Sequence, residues 1–167
     1  MKMKKLKGFT LIELMVTLAI AGLLLSVAFP AMSGFLSDKK LTAQANDLIA
    51  AIRATRGVAI KRRTTIDLEQ KAGSWANGWE IQDAANAIIR EGQGNVGITL
   101  GSASAGIISF SGSGIRTNIV ANFTVKFCDD RGKGRLITIT GLGGVSSVCW
   151  VGYGVADESC APDPGCP

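Results

Sequence analysis

The chain has 167 residues, 47% of them hydrophobic and 19% charged, which leaves room for one modest domain and an apolar appendage but not for two large domains. Glycine is over-represented at 21 residues, so a loop-rich fold is expected and a charged, disordered tail protein is excluded. Histidine is absent, and with it the Ser-His-Asp triad, the Cys-His pair and every histidine-bearing zinc site.

The formal charge of +5 is concentrated at the start, where Lys2, Lys4, Lys5 and Lys7 lie in the first eight residues. Without them 14 basic residues face 13 acidic ones. Residues 9–29 then read FTLIELMVTLAIAGLLLSVAF, with Glu13 the single charge. A helix of that length spans roughly 31 Å, the hydrocarbon thickness of a bilayer. The lysines ahead of it place the amino terminus in the cytoplasm by the positive-inside rule. A cleaved secretory signal ending at Ser26-Val27-Ala28 is the rival reading. Glu13 argues against it, because a carboxylate there costs about 2.5 to 3.5 kcal/mol and persists mainly where it has a partner.

Pro30 is expected to kink the helix, lacking an N–H and clashing with the preceding turn. Beyond it Leu41, Ala45, Leu48, Ile52 and Ala59 fall on one face and demand a partner surface. Gly57 weakens the last turns, and the β-branched run 64–66 predicts a helix end near residues 61–63. Strand patterns follow: Ile66 and Leu68; Trp79 and Ile81 after a tight turn at Asn77-Gly78; Val96, Ile98 and Leu100; Ile108 and Phe110; Phe123, Val125 and Phe127; Ile137 and Ile139. The pattern predicts one long helix on a β-rich head of about seven short strands.

The segment Lys7-Gly8-Phe9-Thr10-Leu11-Ile12-Glu13-Leu14 resembles the processing motif of type IV pilins and type II secretion pseudopilins. That resemblance implies cleavage between Gly8 and Phe9 by a prepilin peptidase and methylation of Phe9. It also implies that Glu13 pairs with a terminal amine during assembly. In the head, Trp75 with Asn77-Gly78-Trp79-Glu80-Ile81, Ile108-Ser109-Phe110-Ser111-Gly112, and Phe127-Cys128-Asp129-Asp130-Arg131-Gly132 running into 136–139 are similar to minor pilins of the FimT and FimU kind and to the pseudopilin GspH. The likeness reaches about Val151, and the tail 156–167 has no counterpart in it.

Cys128, Cys149, Cys160 and Cys166 fall on the oxidising side of the membrane, so two disulfides are expected. A zinc site built from all four would lack the usual C-x-x-C pair. Of three connectivities, Cys128 with Cys149 and Cys160 with Cys166 is preferred: the first closes a hairpin, the second a small loop holding Pro162 and Pro164. Cys128 alternates out of phase with Phe123, Val125 and Phe127, which suggests that it lies past the strand end. Asp129 and Asp130 could be imagined as an acid pair, yet 129–135 reads more simply as a solvated turn. Trp75, Trp79 and Trp150 read as core residues.

Seven basic residues lie between positions 39 and 63 against one acid, Asp47, and read as a solvated helix face. The DNA alternative places phosphate contacts on Arg131, Lys133, Arg135, Arg62 and Arg63. FimT-like DNA receptors carry a GRxR motif where this chain has Gly143-Gly144-Val145-Ser146, so DNA is possible but not preferred.

The sequence therefore predicts an α+β fold: a long membrane-spanning N-terminal helix packed on a β-rich, two-sheet head. Its parts are a cleaved cytoplasmic leader at 1–8, a transmembrane and filament-core helix at 9–29, its amphipathic continuation at 30–63, and the head at 64–167 with a disulfide-closed tail. The resemblance implies a non-enzymatic minor pilin without cofactor or metal. It is held in the inner membrane with a periplasmic head, then carried to the tip of a cell-surface pilus, where it helps initiate assembly. The implied partners are other minor pilins, the major pilin, the prepilin peptidase, the inner-membrane assembly platform and the membrane lipid. A type II secretion pseudopilin and a DNA-uptake pilin are the alternatives, the FimU-like pilus subunit being preferred over GspH for its disulfides and its Cys-Asp-Asp-Arg-Gly segment.

Overall fold

The computed structural model describes residues 9–104, 106–117, 122–140, 145–152, 155–156 and 166. Two compact units divide the chain, Met1–Leu36 and Ser37–Pro167. One helix, α1 (Leu11–Arg62), belongs to both and is assigned without a break through Pro30. In the first unit the described leucines, isoleucines and phenylalanines from Phe9 to Leu36 are all exposed. Among the described residues no helix is long and apolar enough to cross a membrane.

In the second unit the predicted stripe is buried: Leu41, Ala45, Leu48, Ile52 and Ala59 are each at most 1% exposed. The helix ends at Arg62, where Arg63 takes a left-handed φ of 52° and Thr64 N donates back to Ala59 O. Lys61 and Arg62 in the last turn suit the negative end of the helix dipole.

Nine strands follow among the described residues: β1 (Ile66–Gln70), β2 (Gly78–Asp83), β3 (Ile88–Gln93), β4 (Ile98–Ala103), β5 (Ile108–Phe110), β6 (Phe123–Asp129), β7 (Gly134–Ile139), β8 (Val145–Gly152) and β9 (Val155–Ala156). They form two antiparallel sheets, ordered β3-β2-β1-β5 and β4-β6-β7-β8-β9. Alternation aims Ile66, Leu68, Ile81, Ile108 and Phe110 of the first sheet, and Val125, Phe127, Ile137 and Ile139 of the second, into one core with the helix stripe. Trp75 and Phe123 meet edge to face at 5.9 Å. Each fully buried Leu, Ile or Phe contributes about 1.5 to 3 kcal/mol, so this three-way contact dominates the head's stability.

The tight turn expected at Asn77-Gly78 lies one to two residues earlier. A 3-10 turn at Trp75–Asn77 leads directly into β2, and Gly78 is already the first residue of the strand. Strand β3 escaped the sequence reading because both its faces are largely solvated, with Ile88 56% exposed. Cys128 lies inside β6, not beyond it, and is buried on the face opposite Val125 and Phe127.

The loop between β3 and β4 is pinned from below. Gln44, 1% exposed on the helix, accepts at its side-chain oxygen from Asn95 N (2.8 Å) and Nδ2 (2.9 Å), and Gly94 N donates to Asn77 O (3.0 Å). Gly94 fits because it lacks a Cβ, which would stand 1.7 Å from Ala76 O. Gly94→Ala is expected to lower stability by about 1 to 3 kcal/mol through this backbone collision, measured as a shift of the urea midpoint at unchanged slope.

Candidate functional site

At the chain's first described turn, Thr10 and Glu13 form a reciprocal cap. Glu13 Oε2 accepts from Thr10 N (2.9 Å) and Thr10 Oγ1 (2.8 Å), while Glu13 N donates to Thr10 Oγ1 (3.3 Å). This T-x-x-E capping box satisfies helix-start donors that would otherwise be unpaired. It also sets a negative charge at the positive end of the dipole. The box was legible as Thr10-Leu11-Ile12-Glu13, yet Thr10 was not singled out. Phe9 is 79% exposed beside it, and Gly8 lies outside the described residues.

The turn between β6 and β7 is not the solvated loop that 129–135 suggested. Asp129 has a side chain only 1% exposed, and its Oδ1 accepts from the backbone N–H of Arg131 (3.0 Å) and Lys133 (2.9 Å). Its Oδ2 accepts from Arg131 Nε (2.9 Å) and Nη2 (2.5 Å). Arg131 Nη2 also reaches Asp38 Oδ1 on the helix (2.5 Å), and Lys133 Nζ lies 3.8 Å from the same oxygen. Arg135 Nη2 donates to Thr42 Oγ1 one helical turn on (3.4 Å). The turn is thus clamped to α1 by charge.

Burial pushes the Asp129 carboxyl up, but the hydrogen bonds from the Arg131 side chain and the Lys133 and Arg131 backbone outweigh it and hold the group below the usual aspartate range. Desolvation pulls Arg135 down. A third tie, Trp79 Nε1 donating to Asp47 Oδ2 (2.6 Å), holds β2 to the helix. The roles of Asp38, Thr42 and Gln44, and the bond that Asp47 makes to Trp79, are not legible in the sequence because nothing local tells a helix polar residue facing solvent from one facing a sheet.

The clamp separates the expected phosphate-binding residues into two groups. Arg131, Lys133 and Arg135 are turned onto helix groups, and Arg131 is engaged by two carboxylates. Arg62 and Arg63 are exposed at the helix end. The expected pairing of Cys128 with Cys149 is corrected: Cys128 is bonded to Cys166, with Cα atoms 5.8 Å apart. Register explains why. Leu136 of β7 pairs with Lys126 on one side and Cys149 on the other, whereas Cys128 pairs with Gly134. Cys128 and Cys149 are therefore two strands apart, about 9.5 Å before the offset along the strands, beyond the roughly 7 Å a disulfide tolerates. The same bond rules out Cys160 with Cys166. Cys160, the side chains of Cys149 and Trp150, residues 141–144, and most of the 156–167 tail lie outside the described residues.

The helix start, the two-sheet head and the tail bridge converge on filament subunits of the pilin type, and comparison with known proteins gives the particular family. The model for the Type II transport protein GspH matches residues 44–143, and that for the prokaryotic N-terminal methylation motif matches residues 3–29. The chain belongs to the GspH family, among the minor pilins and pseudopilins of the type IV pilin superfamily.

The Type IV major alpha-pilin of Moraxella bovis is 35% identical over 71 residues, 42% of this chain and 45% of that protein. Fimbrial protein Q of the same organism is 36% identical over 74 residues, 44% of each. The chain thus matches less than half the length of these curated relatives. Its fold is that of the type IV minor pilin FimU of Pseudomonas aeruginosa, whose crystal structure aligns with a TM-score of 0.56 at 22% identity over 75% of this chain and 98% of that one. A second crystal form of FimU gives 0.52.

Two outcomes follow from the clamp and the bridge. Asp129→Asn should cost about 2 kcal/mol at neutral pH, the range for hydrogen bonds to a charged group. Because the folded pKa is depressed, the native carboxylate stabilises above the usual aspartate pKa and that stabilisation is lost as pH falls through the folded value. The variant's acid-unfolding profile should therefore be flatter below pH about 4. Non-reducing peptide mapping should recover Cys128 with Cys166 and, as the remaining pair, Cys149 with Cys160.

Proposed function

We propose that this protein is a minor pilin that helps initiate a type IV pilus and stays at or near its tip. Residues 9–29 hold it in the inner membrane as a single pass, amino terminus inside and head in the periplasm, until assembly extracts it. The prepilin peptidase cuts between Gly8 and Phe9, and Phe9 is then methylated. The observation that carries this reading is Glu13: an exposed carboxylate at the start of an apolar helix, engaged in the described structure by its own Thr10. Such a group can exchange that cap for the terminal amine of a neighbouring subunit as the helix joins a filament core. The head then meets other minor pilins and the first major subunits, and the assembly platform supplies the extraction. The fimbrial relatives favour a pilus. The GspH family match supports a second reading, a minor pseudopilin of a type II secretion system, which places the same steps in a shorter filament.

DNA uptake is the weaker alternative, since Arg131 and Arg135 are turned onto the helix.

Mass spectrometry of the mature protein should find N-methylated Phe9 at the terminus. Glu13→Ala should leave the protein in the membrane at normal amount and reduce its recovery in sheared filaments severalfold. Normal recovery would remove the assembly role of the carboxylate.

A further inference from the structure

The far end of α1 is cationic and partly apolar. From position 48 to 66 the chain holds Arg53, Arg56, Lys61, Arg62 and Arg63 and no acid. All five are exposed, and among the described residues none makes an ion pair. The loop between β5 and the residue paired with it, Arg116, is pressed onto this end. A Cβ on Gly114 would stand 2.6 Å from Ile60 Cδ1 and 3.3 Å from Arg56 Nε, and one on Gly112 would stand 2.6 Å from the Arg63 carbonyl carbon. Ile60, 48% exposed, is therefore held with Arg56 against the Gly114 turn, and Ile115, equally exposed, is the next residue of that turn. The patch has a fixed shape, an apolar centre and a cationic rim, the anatomy of a protein interface.

The same head presents a surface of opposite sign. On the first sheet Glu69 pairs directly with Glu80, and Glu80 with Glu91, so three glutamates form one row across β1, β2 and β3. They project opposite the buried Leu68 and Ile81, with Asp67 on the same face of β1. Like charges directly opposed across strands are destabilising. The Lys71 contact to Glu91 offsets one end of the row. A cationic partner would relieve the rest.

We propose that the Arg53, Arg56, Ile60 and Ile115 patch docks onto the glutamate row of a second copy of this chain. The contact is heterologous, patch to sheet, so each copy offers one surface of each kind to its neighbours. It rests on the reading of the chain as a filament subunit and adds to it a charge-read contact between heads. An acidic neighbour in the filament can occupy the patch by the same chemistry, but the second copy is the occupant for which both surfaces are on the page.

The test uses the full chain in a nonionic detergent, followed by sedimentation velocity at about 50 and 500 mM salt, where the Debye length falls from about 14 Å to about 4 Å. Wild type should associate at low salt at least tenfold more tightly than at high salt. Arg53→Glu with Arg56→Glu should lose that salt-sensitive association, and so should Glu69→Lys with Glu80→Lys. Mixing the two variants should restore a heterodimer, which a misfolded variant could not do. Salt-independent association that survives in each variant alone, or no association in wild type, overturns the proposal. So does duplex DNA or an anionic-lipid vesicle that binds wild type at 150 mM salt and competes the dimer away, since the patch would then belong to a phosphate surface. Filament recovery of Glu13→Ala is read separately. A chain that enters filaments without salt-sensitive association keeps the filament function and loses this contact.

Discussion

Residues 37–62 of α1 must bury one apolar stripe against two sheets at once, and that demand organises the whole head. Leu41, Leu48 and Ile52 meet inward residues of both sheets in a single core. At about 1.5 to 3 kcal/mol for each large side chain fully buried, the stripe outweighs any one polar contact. Hydrophobic burial is non-directional, however. It would accept a helix rotated or slid by a turn.

The polar residues flanking the stripe remove that freedom. Asp38 and Thr42 receive Arg131 and Arg135 from the second sheet, Asp47 receives Trp79 from the first, and Gln44 holds the loop that passes between them. Each is a directional bond, and the four span about two and a half turns of one helix. Together they specify register where the stripe supplies most of the energy. Asp129 matters most among their partners: it is buried, it orients Arg131, and its neighbour Cys128 ties in Cys166. The tail bridge and the helix clamp thus meet at one strand end.

A head locked to its helix in this way moves with it as one body within the second unit. That rigidity suits a filament subunit, in which the positions of exposed groups on the head are set by the helix that carries them.

Much of this is legible in the sequence. The N-terminal methylation motif and the apolar run are local patterns, read from neighbours in the chain; the stripe from Leu41 to Ala59 and the inward residues of β1, β2, β6 and β7 follow from period alone, because burial on one face writes itself into the sequence. What sequence could not decide depends on partners far away in the chain. Strand β3 is largely solvated, with only Ile89 packed against the core, and leaves no period. The acidic turn at 129–131 looks solvated until the helix carrying Asp38 is brought beside it. The pairing of Cys128 with Cys166 over Cys149 is a matter of strand register, with two intervening spacings that no count of residues reveals. Local chemistry and periodicity are written in the chain; which charge faces which, and which thiol lies within reach, is decided only when the two sheets and the helix close on one another.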